Sequence, residues 1–253
     1  QYPSRESVIG ETVLEVKNIS DGGKRVKNVS FQAHSGEVLG FAGLVGAGRT
    51  ETMRMIFGAD KKISGEIFIR GKAVDIRSPR DAIRNGIGFV TENRKEEGLF
   101  LRSSIKVNTV MVALKKILKA GLYFDFKKEK AYAEEYVKKL HTATSSVNKR
   151  VMFLSGGNQQ KVIFGKWLER EPQVFMMDEP TRGIDVGAKY EIYELIINMA
   201  KQGRTIIVVS SEMPEILGIT NRIGVMSNGY LSGIVNTKET NQEELLRLSA
   251  KYL

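Results

Sequence analysis

The chain has 253 residues, 42% hydrophobic and 27% charged, with 39 Lys+Arg against 29 Asp+Glu for a net charge of +10. At about 150 residues per domain this is one large domain or two small ones, with enough apolar content for a core and a composition unlike that of disordered or fibrous chains. With no cysteine and two histidines, disulfides and thiolate metal sites are excluded and a zinc cluster has little to draw on; no run nears the roughly 18 apolar residues of a membrane helix.

Residues 1–11 are polar, carry linker chemistry around Pro3 and Ser4 and have no initiator methionine, so the chain is expected to start inside a longer polypeptide and to carry no secretion signal. Strands are expected at Leu14–Val16, Val29–Phe31 and Val38–Ala42, then a helix at Thr50–Phe57 after Gly48. A strand at Glu66–Arg70 turns at Gly71, and a short helix at Pro79–Asn85 ends at Gly86. Asn108–Leu140 and Lys161–Leu168 read as helices, with Tyr132, Tyr136, Val137 and Leu140 near helical spacing as a core face. The basic residues of Lys115–Lys139 alternate with Glu129, Glu134 and Glu135 in the manner of a solvated helix, and no base-stacking aromatic signature accompanies them. Val174–Met177 and Thr205–Val209 are continuous apolar runs, as in strands of a parallel sheet covered on both faces. The expected fold class is α/β: a twisted, mainly parallel sheet with flanking helices and a helical insertion from about Glu96 to Leu168.

Three constellations carry chemistry. Gly43-Leu44-Val45-Gly46-Ala47-Gly48-Arg49-Thr50 lies between an expected strand and an expected helix. Its glycines permit the backbone angles and close approach that let successive N–H groups and a helix start face phosphate oxygens. Taken alone, such a loop also suits a tight turn. The second constellation, Val174-Phe175-Met176-Met177-Asp178-Glu179, is an apolar strand ending in two adjacent carboxylates, which packing does not explain. Asp178 is placed to hold Mg²⁺ opposite the Thr50 hydroxyl, and Glu179 to orient or deprotonate an attacking water. The third, Leu154-Ser155-Gly156-Gly157-Asn158-Gln159-Gln160-Lys161, puts a hydroxyl and two glycines at a helix start, a second anion cradle. One nucleotide cannot easily use both cradles of one chain, so they are expected to serve sites shared between two domains.

At these residues the chain resembles the nucleotide-binding domain of ATP-binding cassette (ABC) transporters, from Thr12 to its end. The resemblance implies a P-loop NTPase cassette with an N-terminal antiparallel β portion and a helical subdomain at about 96–168. It also implies ATP and Mg²⁺, and a head-to-tail pair of domains sandwiching two nucleotides. Residues 43–50 match the Walker A motif, 154–158 the signature, 174–179 the Walker B motif, Gly183-Ile184-Asp185 the D-loop and Val90-Thr91-Glu92 the Q-loop. Nucleotide contacts are thereby expected from Gly43, Leu44, Val45, Gly46, Ala47, Gly48, Arg49, Thr50 and Glu51, and from Ser155, Gly156, Gly157 and Asp185. Metal contacts are expected from Thr50 and Asp178, and catalytic roles from Glu179, Glu92 and Ser211.

Five departures accompany the matches, the mildest being Asn158 where the family's signature has glutamine. Arg49 replaces the Walker A lysine, and a planar fork does not reproduce a compact ammonium. Glu92 stands for the family's glutamine, Ser211 for its switch histidine, and Ser20–Asn28 contains no adenine-stacking ring. An impaired Walker side with a usable signature side is similar to the second cassette of tandem ATPases that energise bacterial monosaccharide importers, most like the galactose and methyl-galactoside type and then ribose. The implied partners are an upstream cassette of the same polypeptide, an integral-membrane sugar permease facing Asn93–Leu101 and, indirectly, a sugar-binding protein, with no nucleic acid. The implied place is the cytoplasmic face of the bacterial inner membrane. The alternatives are a self-sufficient homodimeric ABC ATPase and a nucleic-acid-associated ABC protein.

Overall fold

The computed structural model describes residues 2–119 and 122–253. In chain order the elements are β1 (Thr12–Ser20), β2 (Val29–His34), β3 (Val38–Gly43), α1 (Arg49–Ile56), β4 (Ser64–Ile69), β5 (Lys72–Val74), α2 (Pro79–Arg84) and β6 (Ile87–Val90). There follow α3 (Ile105–Val110), α4 (Leu114–Ile117), the short β7 (Leu118–Lys119) and β8 (Tyr123–Phe124), α5 (Phe126–Lys139), α6 (Gly156–Leu168) and β9 (Val174–Asp178). The chain ends with α7 (Val186–Lys201), β10 (Thr205–Val209), α8 (Met213–Ile219), β11 (Arg222–Ser227), β12 (Tyr230–Asn236) and α9 (Gln242–Ser249).

The chain divides into two compact units. The first holds the chain up to Phe89 with Gln173–Pro180 and Tyr193–Leu253; the second holds Val90–Pro172 and Thr181–Ile192.

In the first unit a six-stranded sheet has the order β12-β11-β3-β10-β9-β6, and a four-stranded sheet the order β2-β1-β4-β5. β3 pairs in parallel with β10 and β11, β10 in parallel with β9, and β12 closes its edge antiparallel to β11. All five residues of β9 and of β10 are buried, so the continuous apolar runs of the sequence are two-face-covered parallel strands. β2 buries only alternate residues, Val29, Phe31 and Ala33, as a half-covered antiparallel strand does. Phe31 meets Phe41 of β3 edge-on at 5.0 Å. Residues 2–11 form no regular element but lie against this unit: Arg5 donates to the Leu217 carbonyl (2.6 Å) and the Ser7 hydroxyl to the Gly36 carbonyl (2.6 Å).

In the second unit α3, α5 and α6 pack on one another around Ile105, Ala133, Tyr136, Ile163 and Phe164. The helix expected over Asn108–Leu140 is broken. Leu118–Lys119 and Tyr123–Phe124 pair as a short antiparallel ribbon, and the helix restarts where the Asp125 carboxylate accepts from the N–H groups of Lys127 and Lys128. Ala120 and Gly121, part of that expected helix, lie outside the described residues. α6 starts at Gly156 rather than Lys161 because Ser155 caps it. Tyr136 and Leu140 are buried as the spacing implied, and the lysines of the 115–139 stretch are exposed. Glu129, expected on the solvated face, is instead 3% exposed and pairs with Lys106 at 3.2 Å. Among the described residues, no helix is long and apolar enough to cross a membrane.

One buried ion pair ties the residue just before β3 to the start of β11. Glu37, completely buried, is gripped by Arg222 through Nε (2.5 Å) and Nη2 (3.0 Å) and lies 2.9 Å from His34 Nδ1. Removing one partner of such a pair leaves an uncompensated buried charge. Arg222→Met should therefore cost about 3 kcal/mol or more in chemical denaturation at neutral pH, and adding Glu37→Gln should recover part of it; a loss below about 1 kcal/mol would contradict this account.

Candidate functional site

The phosphate-type loop sits in the first unit. β3 ends at Gly43 and α1 begins at Arg49, with Gly48 as N-cap at φ +96°. A side chain is barred there twice over, by the left-handed backbone and because a methyl group would stand 2.4 Å from the Arg25 carbonyl. The Gly229 N–H donates to the Ala47 carbonyl (3.0 Å), so the β11–β12 turn braces the loop from behind, while Val45 at the tip is 95% exposed. The α1 start adds the unpaired N–H groups that every helix start carries.

Asp178 ends β9 with its carboxylate 1% exposed, and among the described residues neither oxygen finds a hydrogen-bond partner. Burial raises its pKa to about 6. The facing Thr50 hydroxyl and the Arg49 charge pull the value back without completing a hydrogen bond, and Glu179 pushes it further up. A buried carboxylate left unpaired opposite a hydroxyl fits a hard divalent cation, and Asp178 with Thr50 is the pair that would hold Mg²⁺. Among the described residues no cluster of three or more acidic or histidine side chains is disposed for a metal, so other ligands would be phosphate oxygens and water.

Glu179 adopts φ +48°, a strained backbone for a residue with a side chain, costing about 1–3 kcal/mol. Its N–H donates to the Val209 carbonyl (2.9 Å), and its Oε1 accepts from the Ser211 N–H (2.7 Å). Burial raises its pKa, opposed by Ser211 and by the Arg49 charge. Ser211 is thus placed at Glu179 and offers it a backbone N–H. Arg49, nearly buried, donates Nη1 to the Ser210 carbonyl (2.8 Å), so its fork spans from α1 to the end of β10. Glu51 pairs with Arg25 at 2.9 Å.

The second unit holds the other cradle. Ser155 Oγ accepts from the Asn158 N–H (3.4 Å) and amide (2.9 Å), which leaves the hydroxyl proton as the donor for an anion. A cavity of about 380 Å³ is lined there by Ser155, Gly157, Lys161, Asp185 and Glu191 among others. Asp185 accepts from the Ala188 N–H (3.0 Å), capping the start of α7. Both glycines also have a packing reason: a methyl group at Gly157 would meet Ala188 Cβ at 2.6 Å, and one at Gly156 the Gly183 carbonyl at 2.9 Å. Glu92, expected in a catalytic role, belongs to this unit, and its carboxylate is ion-paired with Arg182.

Sequence reasoning missed Arg25, Gly229 and Arg182 as supports of these loops. The Asn228-Gly229 pair, a strong hairpin-turn signal after the β11 strand, was the cue for Gly229; the two arginines carried none.

A glycine loop between a strand and a helix, with a buried carboxylate closing a strand of the same sheet, is the arrangement of a P-loop NTPase fold. The family model described as "ABC transporter" matches residues 26–182. The chain is 53% identical over 254 residues to the galactose/methyl galactoside import ATP-binding protein of Treponema denticola, covering 100% of this chain and 51% of the relative. It is 48% identical to the ribose import ATP-binding protein of Lactococcus lactis, covering 98% of this chain and 50% of the relative. Among solved structures, a nucleotide-free ATP-binding cassette from an ABC transporter superposes with TM-score 0.76 at 19% identity, over 89% of this chain and 92% of that one. A dimeric post-hydrolysis cassette bound to ADP and Pi superposes with TM-score 0.75 at 21% identity, over 90% and 100%. The chain belongs to the ABC transporter family and has the ABC cassette fold. It spans about half the length of the curated relatives it matches.

The buried, unpaired charge of Asp178 weakens the metal-free fold. Its protonated form is favoured by folding, so the penalty is absent below the ordinary value of 3.8, grows as pH rises to about 6 and is complete above that. Asp178→Asn should accordingly raise the denaturation free energy of the metal-free chain at pH 7.5 by up to about 3 kcal/mol, a gain that vanishes near pH 3.5, while removing Mg²⁺-dependent nucleotide binding. A destabilised Asn variant at pH 7.5 would contradict this.

Proposed function

We propose that this chain is a nucleotide-binding cassette of a sugar-importing ABC transporter, the second of two cassettes in one polypeptide, and that it hydrolyses ATP slowly while lending its signature cradle to the other cassette. The observation that carries the reading is the distribution of anion-binding devices. The glycine loop with Asp178 and Glu179 lies in one unit, and the Ser155–Gly157 cradle lies in the other. Each device is half of a nucleotide site, and a second cassette supplies the complementary halves. The chain's coverage of about half of each relative accords with a two-cassette polypeptide, and the relatives' names point to galactose, methyl galactoside or ribose as cargo.

In this reading the Gly43–Thr50 backbone holds the phosphates of ATP, and Thr50 with Asp178 holds Mg²⁺. The bound Mg²⁺ neutralises charge on the phosphate oxygens. Glu179, aimed by the Ser211 N–H, orients water and accepts its proton; a pKa raised by burial makes the carboxylate a better base than a solvated one. Glu92, held by Arg182, is less available for chemistry than the glutamine it replaces. The Arg49 fork, committed in part to the Ser210 carbonyl, serves as a fixed positive charge near both carboxylates rather than as a mobile ammonium.

The permease is the partner we assign to the exposed apolar surface beside Asn93–Leu101. Phe100 is 59% exposed, Met152 46% and Phe153 63%, and the Met152 N–H donates to the Leu101 carbonyl (3.0 Å), which joins the two segments. An exposed apolar patch of this kind marks a docking surface. The cassette would then sit as a peripheral subunit on the cytoplasmic face of the membrane.

Two measurements test the proposal. The purified 253-residue chain by itself should bind MgATP without appreciable turnover, because each nucleotide site needs a second cassette, so Glu179→Gln should change little there; turnover by the isolated chain that vanishes with Glu179→Gln would instead identify a complete, self-sufficient ATPase. Replacing Glu97–Leu101 with polar residues should leave MgATP binding intact and impair transport by the assembled importer, whereas undiminished transport would remove the docking assignment.

A further inference from the structure

Within the second unit a single guanidinium joins three segments that the sequence keeps far apart. Arg94 opens a five-residue π-helical turn, Arg94–Gly98, a local geometry that often marks functional sites. Its Nη1 donates to the Arg182 carbonyl (2.7 Å) and its Nη2 to the Gly183 carbonyl (3.3 Å). The same Nη2 stands 2.9 Å from where a methyl group on Gly156 would be. Arg94 is therefore wedged between the loop leading to Asp185 and the first residue of the signature helix, with its Nε enclosed and without a hydrogen-bond partner among the described residues. Arg182 is held from both ends, its carbonyl by Arg94 and its guanidinium by Glu92.

The turn itself is anchored, so Arg94 acts from a fixed base. At its far end the Gly98 carbonyl accepts from Lys166 Nζ (2.6 Å), and a methyl group on Gly98 would meet Ile163 Cδ1 at 2.9 Å. Both ends of the turn thus abut α6, the start at Gly156 and the end at Ile163 and Lys166. A carbonyl pair held by one charged fork gives geometric restraint that no aliphatic side chain supplies.

We propose that Arg94 is the positioning residue of the anion cradle: by holding the Arg182 and Gly183 carbonyls against Gly156 it fixes the mutual placement of Ser155, Gly157 and Asp185 around the cavity they share. This rests on the reading of that cradle as a nucleotide contact. Arg94 touches no phosphate itself; it acts on the ligand only through the loop and the helix start that it joins. Losing it lets the loop carrying Asp185 move independently of Ser155, which weakens binding in ground and transition states alike and so appears in KM.

The test is steady-state ATP turnover by the intact protein, full chain, as a function of MgATP, for Arg94→Ala, Arg94→Lys and Ser155→Ala, with a thermal midpoint for each. The expectation for Arg94→Ala is a KM raised about tenfold, kcat changed less than threefold and a midpoint within about 2 °C of the parent. Arg94→Lys, able to reach one carbonyl, recovers part of the KM; it carries the same comparison should the alanine variant fail to fold. A fall in kcat or midpoint with KM unchanged makes Arg94 a structural brace and overturns the inference. If Ser155→Ala raises KM and Arg94→Ala does not, the inference fails alone. If neither raises KM, the cradle reading fails with it, and if only Arg94→Ala does, Arg94 acts elsewhere and the inference is again overturned.

Discussion

Asp178 is an ionisable group at the end of a strand whose every residue is buried, with no hydrogen bond to either oxygen among the described residues. Such a charge is tolerated only because the rest of the first unit is built around it. Two-sided burial of β9 and β10 supplies the apolar energy that offsets it, and the parallel pairing of β9 with β10 brings Val209, and therefore Ser210 and Ser211, alongside Asp178 and Glu179. From that pairing follow the Ser211 N–H to Glu179, the Arg49 link to Ser210 and the placement of α1 with Thr50 facing the carboxylate. On the proposed reading, stability is given up locally so that a bound cation would restore it, a trade common at functional sites.

Glu179 shows the same trade in the backbone. Its positive φ is enforced by the bond from its N–H to Val209, so the sheet sets the aim of the side chain. The second unit uses different means. Its cradle contains no buried carboxylate; it depends on close approach, with Gly156 and Gly157 admitting the loop at 182–188 where any side chain would obstruct it. On the proposed reading the first device would bind through backbone N–H groups and a buried charge beside a strained turn, the second through a hydroxyl and N–H groups kept in place by clamped carbonyls.

Much of the first site was legible in order because its signals are local. A glycine loop between a strand and a helix, and two carboxylates ending an apolar run, are each contained in fewer than ten residues, and the strands at 38–42, 174–177 and 205–209 were visible as continuous apolar runs. The middle of the chain was less legible. Asn108–Leu140 has helical composition throughout, and the break that pairs Leu118–Lys119 with Tyr123–Phe124 before the Asp125 cap rests on strand pairing that composition does not show. Glu129 looked solvated because nothing in its neighbourhood of sequence shows that Lys106 will lie beside it.

The sequence by itself determined the α/β class, the phosphate loop, the carboxylate pair and the capped second cradle, because spacing along one strand, turn or helix start dictates which groups share a face. Only the tertiary structure decided that Arg49 reaches Ser210, that Glu92 is bound to Arg182, that the Gly229 turn supports the loop at Ala47 and that Arg94 joins Gly156 to Gly183. These partners lie tens to more than a hundred and fifty residues apart, and a long charged side chain has no preferred partner until packing removes the alternatives and the water that would otherwise satisfy it.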